Sequence, residues 1–552
     1  MTSGQVPTES TDIAALPASV PVVIAGGGPV GLATAVELGR RGVTCVVIEP
    51  RAEVSHLRPR CKTVNVRTME HLRRWGIAET FREAAPIPVS WSNDVAFCTS
   101  LVGRELSRFH GVLGLVPEGD RFPEVGQQAP QYLLEELLRV TVRGLPACTL
   151  VTGASVVAVD QRPDCVRVTV KSLGVATATI SADYLVGCDG PRSVIREQIG
   201  STYMGEQALR PNYGMVFRCP ELAERTAHLP AVQYWIVNGT APALMGPLDL
   251  EGTWWIILFG IEEADGRRRG AELIHAAIGA PLPVEIISTD PWTARMQLVD
   301  RARASRVFLA GDAAHLNPPF GGHGLNTGVG DAVDLGWKLA AVLQGWGCPG
   351  LLDSYELERR PVQDRVIREA TANMSVLSTE LTDPLLDTAG AEGDAVRRRA
   401  HTRIQETKHA EFHALDLVLD VGYTSPIVSR SDDPHGIVGF RLPHAWLAPN
   451  HSLFDDLGPG FTLLVLHGEE GRDGEWTENA QSRGVPFAIL DLRGRDLLTR
   501  YAVDLVLVRP DQYVAWAGAE GADAGAILDV ARGHTSSATH DTPSAQELPD
   551  GD

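Results

Sequence analysis

The stretch Pro21-Val22-Val23-Ile24-Ala25-Gly26-Gly27-Gly28-Pro29-Val30-Gly31 decides how the first part of the chain is read. A short apolar run of the kind buried in a parallel sheet enters Gly26-x-Gly28-x-x-Gly31, and a helical pattern follows to about Arg41. A second apolar run, Thr44 to Ile48, closes on Glu49, completing a βαβ unit of about thirty residues. Gly26 allows the tight turn. Gly28 lets backbone approach a pyrophosphate at the helix N-terminus, and Gly31 lets helix and strand pack closely. Glu49 stands where a carboxylate accepts hydrogen bonds from a ribose diol and repels a 2′-phosphate. Strand, glycines, helix and acid in this order point to a dinucleotide, without saying which.

Composition bounds the rest. A chain of 552 residues with 44% apolar and 21% charged content has the make-up of a folded enzyme of several modules. A formal net charge of −20 argues against nucleic acid as a partner, because phosphate needs a basic face. No apolar run reaches membrane-spanning length and no signal-peptide pattern opens the chain. Eight cysteines without a C-x-x-C pair fit reduced thiols, and hence a cytoplasmic protein with neither a disulfide framework nor a metal site. Residues 1–18 read as a flexible arm and 533–552 as a disordered tail.

Between these ends the pattern predicts helix from about Glu53 to Arg82, then loops and short strands over 85–130. It predicts strand-rich sequence over 205–300, with Trp235, Trp254, Trp255 and Trp292. The segments 85–130 and 205–300 read as a sheet-based substrate domain inserted into a dinucleotide domain of residues 19–385. A long helix is expected from about Asn326 to Leu343. A helical region and linker fill 386–436, and alternating strands and helices over 437–532 form a separate small α/β domain.

Two later segments select the dinucleotide. Tyr184-Leu185-Val186-Gly187-Cys188-Asp189-Gly190 is a strand ending in an acid and entering a helix. Val307-Phe308-Leu309-Ala310-Gly311-Asp312 is a strand whose Asp312 is placed to bond a ribityl hydroxyl. The glycines from Gly321 to Gly328 let backbone lie against a flat ring. The following helix would aim its positive end at that ring, which suits an anionic reduced flavin. The dinucleotide is therefore read as FAD.

These three motifs, in order over about residues 20–365, resemble the single-component FAD-dependent aromatic hydroxylases of the p-hydroxybenzoate hydroxylase superfamily. The C-terminal module resembles the thioredoxin-like domain of the phenol and polyketide hydroxylase branch. No cysteine follows Cys348, so packing or a homodimer contact, not thiol chemistry, is expected of it.

The resemblance implies an α/β fold with a glutathione-reductase-type FAD domain, an inserted substrate sheet and a C-terminal thioredoxin-like domain. It implies that NADPH or NADH reduces FAD, that O2 adds at the flavin C4a carbon, and that the hydroperoxide oxidises a small phenolic or polycyclic ring. Arg60 matches an arginine near the flavin that helps nicotinamide use, and Gln131 a glutamine that contacts FAD. Asp189 matches an acid tied to the pyrophosphate, and Pro319 a residue whose carbonyl faces the hydroxylation site. Gly322, Gly324, Leu325 and Asn326 belong to the flavin-contacting run, where His323 replaces the usual Gln.

Tyr213, Arg218, Tyr234 and Trp254 are weak substrate candidates that no motif ranks. His401, His409 and His413 share a helix face, but their spacing to Glu411 does not match a zinc-protease motif. Baeyer–Villiger oxidation, oxidative decarboxylation and a non-enzymatic flavin-binding regulator remain open alternatives.

Overall fold

A computed structural model describes residues 13–534 except 175, 207–209, 375–380, 430–435, 469–473 and 496. Most of the expected N-terminal arm, nearly all of the expected tail and part of the linker lie outside the described residues.

The apolar run of the glycine motif becomes the strand Ser19–Ala25, which pairs in parallel with Cys45–Glu49 on one side and Thr177–Gly187 on the other. Val307–Leu309 extends the sheet beyond Thr177–Gly187, and Cys148–Thr152 beyond Cys45–Glu49. Because the two central strands are covered on both faces, residues 22–25 and 45–48 are continuous apolar runs. All three fingerprint acids leave carboxyl ends of this one sheet, where ligands of such folds bind.

An inserted sheet of seven strands runs in the order Glu285–Thr293, Pro211–Arg218, Thr253–Phe259, Ala243–Pro247, Gln233–Ile236, Val95–Cys98, Glu105–Phe109. Period-two alternation gives it two different faces. Tyr213, Tyr234 and Trp254 pack under the helix Glu263–Ile278 with Leu273 and Ile274. Trp235, Leu244, Trp255 and Phe259 face the other way and pack with Phe320 of the glycine-rich loop.

The third module is a four-stranded sheet in the order Phe487–Asp491, Phe461–Val465, Leu505–Val508, Val514–Gly518, flanked by the helices Gly474–Ser482 and Ala524–Ala531. It is docked on the FAD module through a mixed interface. Trp337 and Trp346 pack edge-on against Phe461. Arg509, fully buried, bonds Glu358 at 2.8 and 2.9 Å and Asp334 at 3.0 Å, and Lys338 bridges the same two acids. Each charge is expensive to bury alone, so the cluster holds only as a complete set.

Two expectations need correction. The helical reading of 53–82 fails over its first part: helices span only Val66–Trp75 and Ala78–Ala84. Pro59 supplies no N–H and biases Arg58 toward extended backbone, and Arg60 has φ 48°, so no helix crosses this segment. The long helix starts at His323, three residues before Asn326, because Gly322 at φ 69° turns the chain into it.

Candidate functional site

The first turn of the helix Pro29–Arg40 carries no side-chain cap, so its leading N–H groups stay available to an anion. Gly26 has φ 103°, and a Cβ on Gly31 would stand 1.9 Å from the Gly26 carbonyl oxygen, so the turn admits no larger residue. No atom lies within 4 Å of a Cβ built on Gly28, leaving room above the helix end. Glu49, almost wholly buried, accepts the Gly27 N–H at 2.8 Å and is held by Arg51 at 2.6 Å. Arg51 also reaches Glu135 at 2.9 Å. A carboxylate has about four acceptor sites, so Glu49 keeps capacity for a ribose.

Asp189 uses one oxygen on the Ile195 N–H at 3.1 Å, while its Oδ1 is buried and without a partner. Burial pushes its carboxyl up, against hydrogen bonds from Ser193 and backbone. Gly190, at φ 80°, likewise has open space where a Cβ would be.

Asp312 and Pro319 are open to solvent, whereas Gly311, Ala313 and Phe320 are buried, so both stand on the floor of a cleft. The surrounding protein desolvates Asp312 and pushes its carboxyl up, opposed by the charges of His315 and Arg60. Arg60 is thus brought to the cleft from far earlier in the sequence. Its segment is tethered to both modules. Gln131 N–H donates to Pro59 O at 3.0 Å, and Arg58 pairs with Asp290 of the inserted sheet at 3.4 Å. The Gln131 side chain itself is half-buried.

The Pro319 carbonyl accepts the Gly322 N–H at 3.1 Å, which leaves one lone pair for another donor. The helix His323–Leu343 again has no side-chain cap, and Gly322, Gly324 and Leu325 are half-buried at its start. Two uncapped helix ends, an unpartnered buried acid and the clear space over Gly28 fit the pyrophosphate and ring of FAD.

The remaining site candidates are placed as follows. Asn326 donates to Thr63 O at 2.9 Å and Gly322 O at 2.7 Å, and accepts from Asn65 N at 3.0 Å and Thr68 Oγ1 at 2.7 Å. All of its side-chain hydrogen-bonding groups are engaged within the protein, so it braces the helix start. Tyr213, Tyr234 and Trp254 lie on the helix-covered face of the inserted sheet, away from Pro319, because their positions share one parity of the strand alternation. Arg218 is exposed at a strand end. His409 and His413 stack on each other at 4.3 Å, and His413 contacts the carbonyls of His409 and His110.

Sequence reading missed two features. Lys62 crosses to the inserted sheet, with Nζ 3.8 Å from the Trp255 ring centroid. Asp331 ties the site to its support: it accepts from Gly311 N, His315, Arg359 and Gln363. Burial raises its carboxyl, but Arg359 and His315 outweigh that and hold it down at about 2. Spacing on one helix face gave no signal for Asp331, since its partners are distant in sequence.

The family described as "FAD binding domain" matches residues 19–370, and "Aromatic-ring hydroxylase, C-terminal" matches 435–535. The chain belongs to the FAD-dependent aromatic-ring hydroxylases. It is similar to a "Putative polyketide hydroxylase" of Streptomyces halstedii, 33% identical over 532 residues that cover 91% of this chain and 94% of the relative. The rebeccamycin biosynthetic enzyme RebC with reduced flavin superposes with TM-score 0.86 at 32% identity, covering 94% of this chain and 100% of that one. The flavin-dependent monooxygenase PieE, solved with FAD and substrate, gives TM-score 0.83 at 29% identity over 93% and 98% of the two chains. The protein is an FAD-dependent monooxygenase. Among the described residues no helix is long and apolar enough to cross a membrane.

Proposed function

We propose that the protein hydroxylates a polycyclic, phenol-like ring, with NADPH or NADH and O2 as co-substrates. FAD, when bound, supplies the redox chemistry: it takes up a hydride and delivers one oxygen atom. The chain's own residues supply placement and a dry wall. The observation that carries this reading is the buried aromatic wall of Trp235, Leu244, Trp255 and Phe320, with Ile257 half-buried at its edge, next to the Pro319 turn and Asp312. Such a wall backs the site with apolar side chains, so a flat ring bound at its edge would be kept from water. Its breadth, over several strands, suits fused rings, as does the likeness to a polyketide hydroxylase.

Arg60 is the residue best suited to meet the nicotinamide. It projects into the cleft from a left-handed backbone position, a conformation that costs about 1–3 kcal/mol and persists where the surroundings enforce it. Pro319 is suited to orient the ring hydroxyl through its remaining carbonyl lone pair. Gly26, Gly28, Gly31, Glu49, Asp189 and Asp312 are suited to hold the cofactor.

The test is oxidation of NADPH and NADH by the purified holoenzyme across a panel of phenols, naphthols and anthraquinones. Ring-stimulated oxidation, with one labelled atom from isotopic O2 in the product, is the expected result. Oxidation indifferent to every ring, with no oxygenated product, overturns the reading.

A further inference from the structure

The sequence contains four lysines, and two of them, Lys338 and Lys408, are buried. Lys338 lies 2.9 Å from Asp334 and 2.7 Å from Glu358, and Lys408 lies 2.8 Å from Glu411. Lys171 is exposed on a strand. Lys62 follows neither pattern. It is half-buried in the cleft, and no carboxylate comes within ion-pair distance of it among the described residues. Its one close aromatic partner is the face of Trp255.

The backbone of Lys62 is held firmly. Its carbonyl accepts the Ala129 N–H at 3.0 Å. On either side, Cys61 Sγ stands 3.8 Å from Gly322 O, and Thr63 stands so close to Gly322 that a Cβ there would lie 3.0 Å from it. The lysine therefore leaves the flavin-loop side of the cleft and ends on the substrate-sheet side. A ring bound at the edge of this wall, beside Trp255 and Ile257, would meet its ammonium.

We propose that Lys62 is a specificity-determining residue that binds an anionic oxygen, a carboxylate or phenolate, carried on the aromatic substrate. An ammonium in an apolar wall is costly unless something neutralises it, and no carboxylate among the described residues does so. Burial pulls it down to about 8, and an anion arriving beside it would raise it again and keep the ammonium charged. The π-face of Trp255 fixes its direction without consuming its charge or its three donors. The proposal rests on the ring-hydroxylase reading and narrows its substrate class.

The test compares the wild-type holoenzyme with Lys62→Met and Lys62→Arg. Ligands are 1-hydroxy-2-naphthoate, its neutral carboxamide and 1-naphthol, with binding read from flavin absorbance. Wild type should bind the naphthoate at least about tenfold more tightly than the carboxamide; Lys62→Met should abolish that preference and Lys62→Arg should keep most of it. A preference for phenolate would appear instead as ionisation of bound 1-naphthol at lower pH in wild type than in Lys62→Met. Equal discrimination by wild type and Lys62→Met in both arms overturns the proposal, while ring-stimulated nicotinamide oxidation by the carboxamide would leave the hydroxylase reading standing. Failure of every ring, in wild type as well, removes both.

Discussion

His315 Nε2 lies 2.9 Å from Asp331 Oδ2, and the same oxygen accepts the Gly311 N–H at 3.1 Å, so one buried carboxylate fixes both ends of the turn that presents Asp312. Arg359 and Gln363 engage its other oxygen. The Asp312 turn is thus held from behind by charge and not by packing alone.

Asp331→Asn should lose about 2 kcal/mol of stability at pH 7, from the depression of its carboxyl from 3.8 to about 2. The sign follows from linkage: a depressed carboxylate stabilises the fold above its unfolded pKa, and that contribution fades as pH falls from about 4 toward 2. Urea unfolding of wild type and variant should show a gap at pH 7 that narrows in acid.

His323 is buried, and Nε2 has no hydrogen-bond partner. Burial alone pulls its ring down from 6.5 to about 4, so the unfolded chain takes up the proton first as pH falls. Stability is then lost between about pH 6.5 and pH 4, by roughly 3 kcal/mol in all. His323→Gln should flatten the melting temperature over that window. An unchanged profile would mean that other groups dominate acid sensitivity.

Gly31→Ala should purify with less than about a tenth of the wild-type flavin, because the added methyl collides with the Gly26 carbonyl and opens the phosphate turn. Gly42→Ala, at an open position of φ 73°, is the control: it should keep the flavin and cost about 1 kcal/mol.

Arg509→Met takes the cation from Asp511 and leaves Asp334 and Glu358 with Lys338 alone. Breaking such a set costs about 3–5 kcal/mol, and the third module should become sensitive to protease before the FAD module does. Coincident digestion of both modules at wild-type rates would contradict this.

The two faces of the inserted sheet should separate kinetically. Tyr213→Ala, under the covering helix, should cost about 3–5 kcal/mol of stability with little change in KM at a temperature where it stays folded. Ile257→Ala, on the Phe320 side, should raise KM for the ring at a smaller cost in stability.

Much of this was legible without coordinates. The glycine motif, Glu49, Asp189 and Asp312 announce themselves because backbone constraints dictate residue type at fixed spacing. The two sheet modules followed from period-two patterning. What the sequence could not disclose was face: Trp254 and Trp255 are adjacent and alike, and only pairing of the strands decides which one turns to the cleft. Nor could it disclose that Asn326 spends its whole side chain on Thr63, Asn65, Thr68 and Gly322, since those partners lie far off along the chain or belong to a loop of uncertain geometry. Lys62 was hidden for the same reason: a lone lysine has no pattern.

The buried cluster around Arg509 also sets an order of events on the ribosome. Glu358 emerges 151 residues ahead of the guanidinium that neutralises it. Until then the helices behind the flavin loop carry an excess of acid with only Lys338 to offset it. The third module thus completes the charge balance of the helices behind the flavin loop, and the FAD module is expected to reach its full stability only once Arg509 is in place.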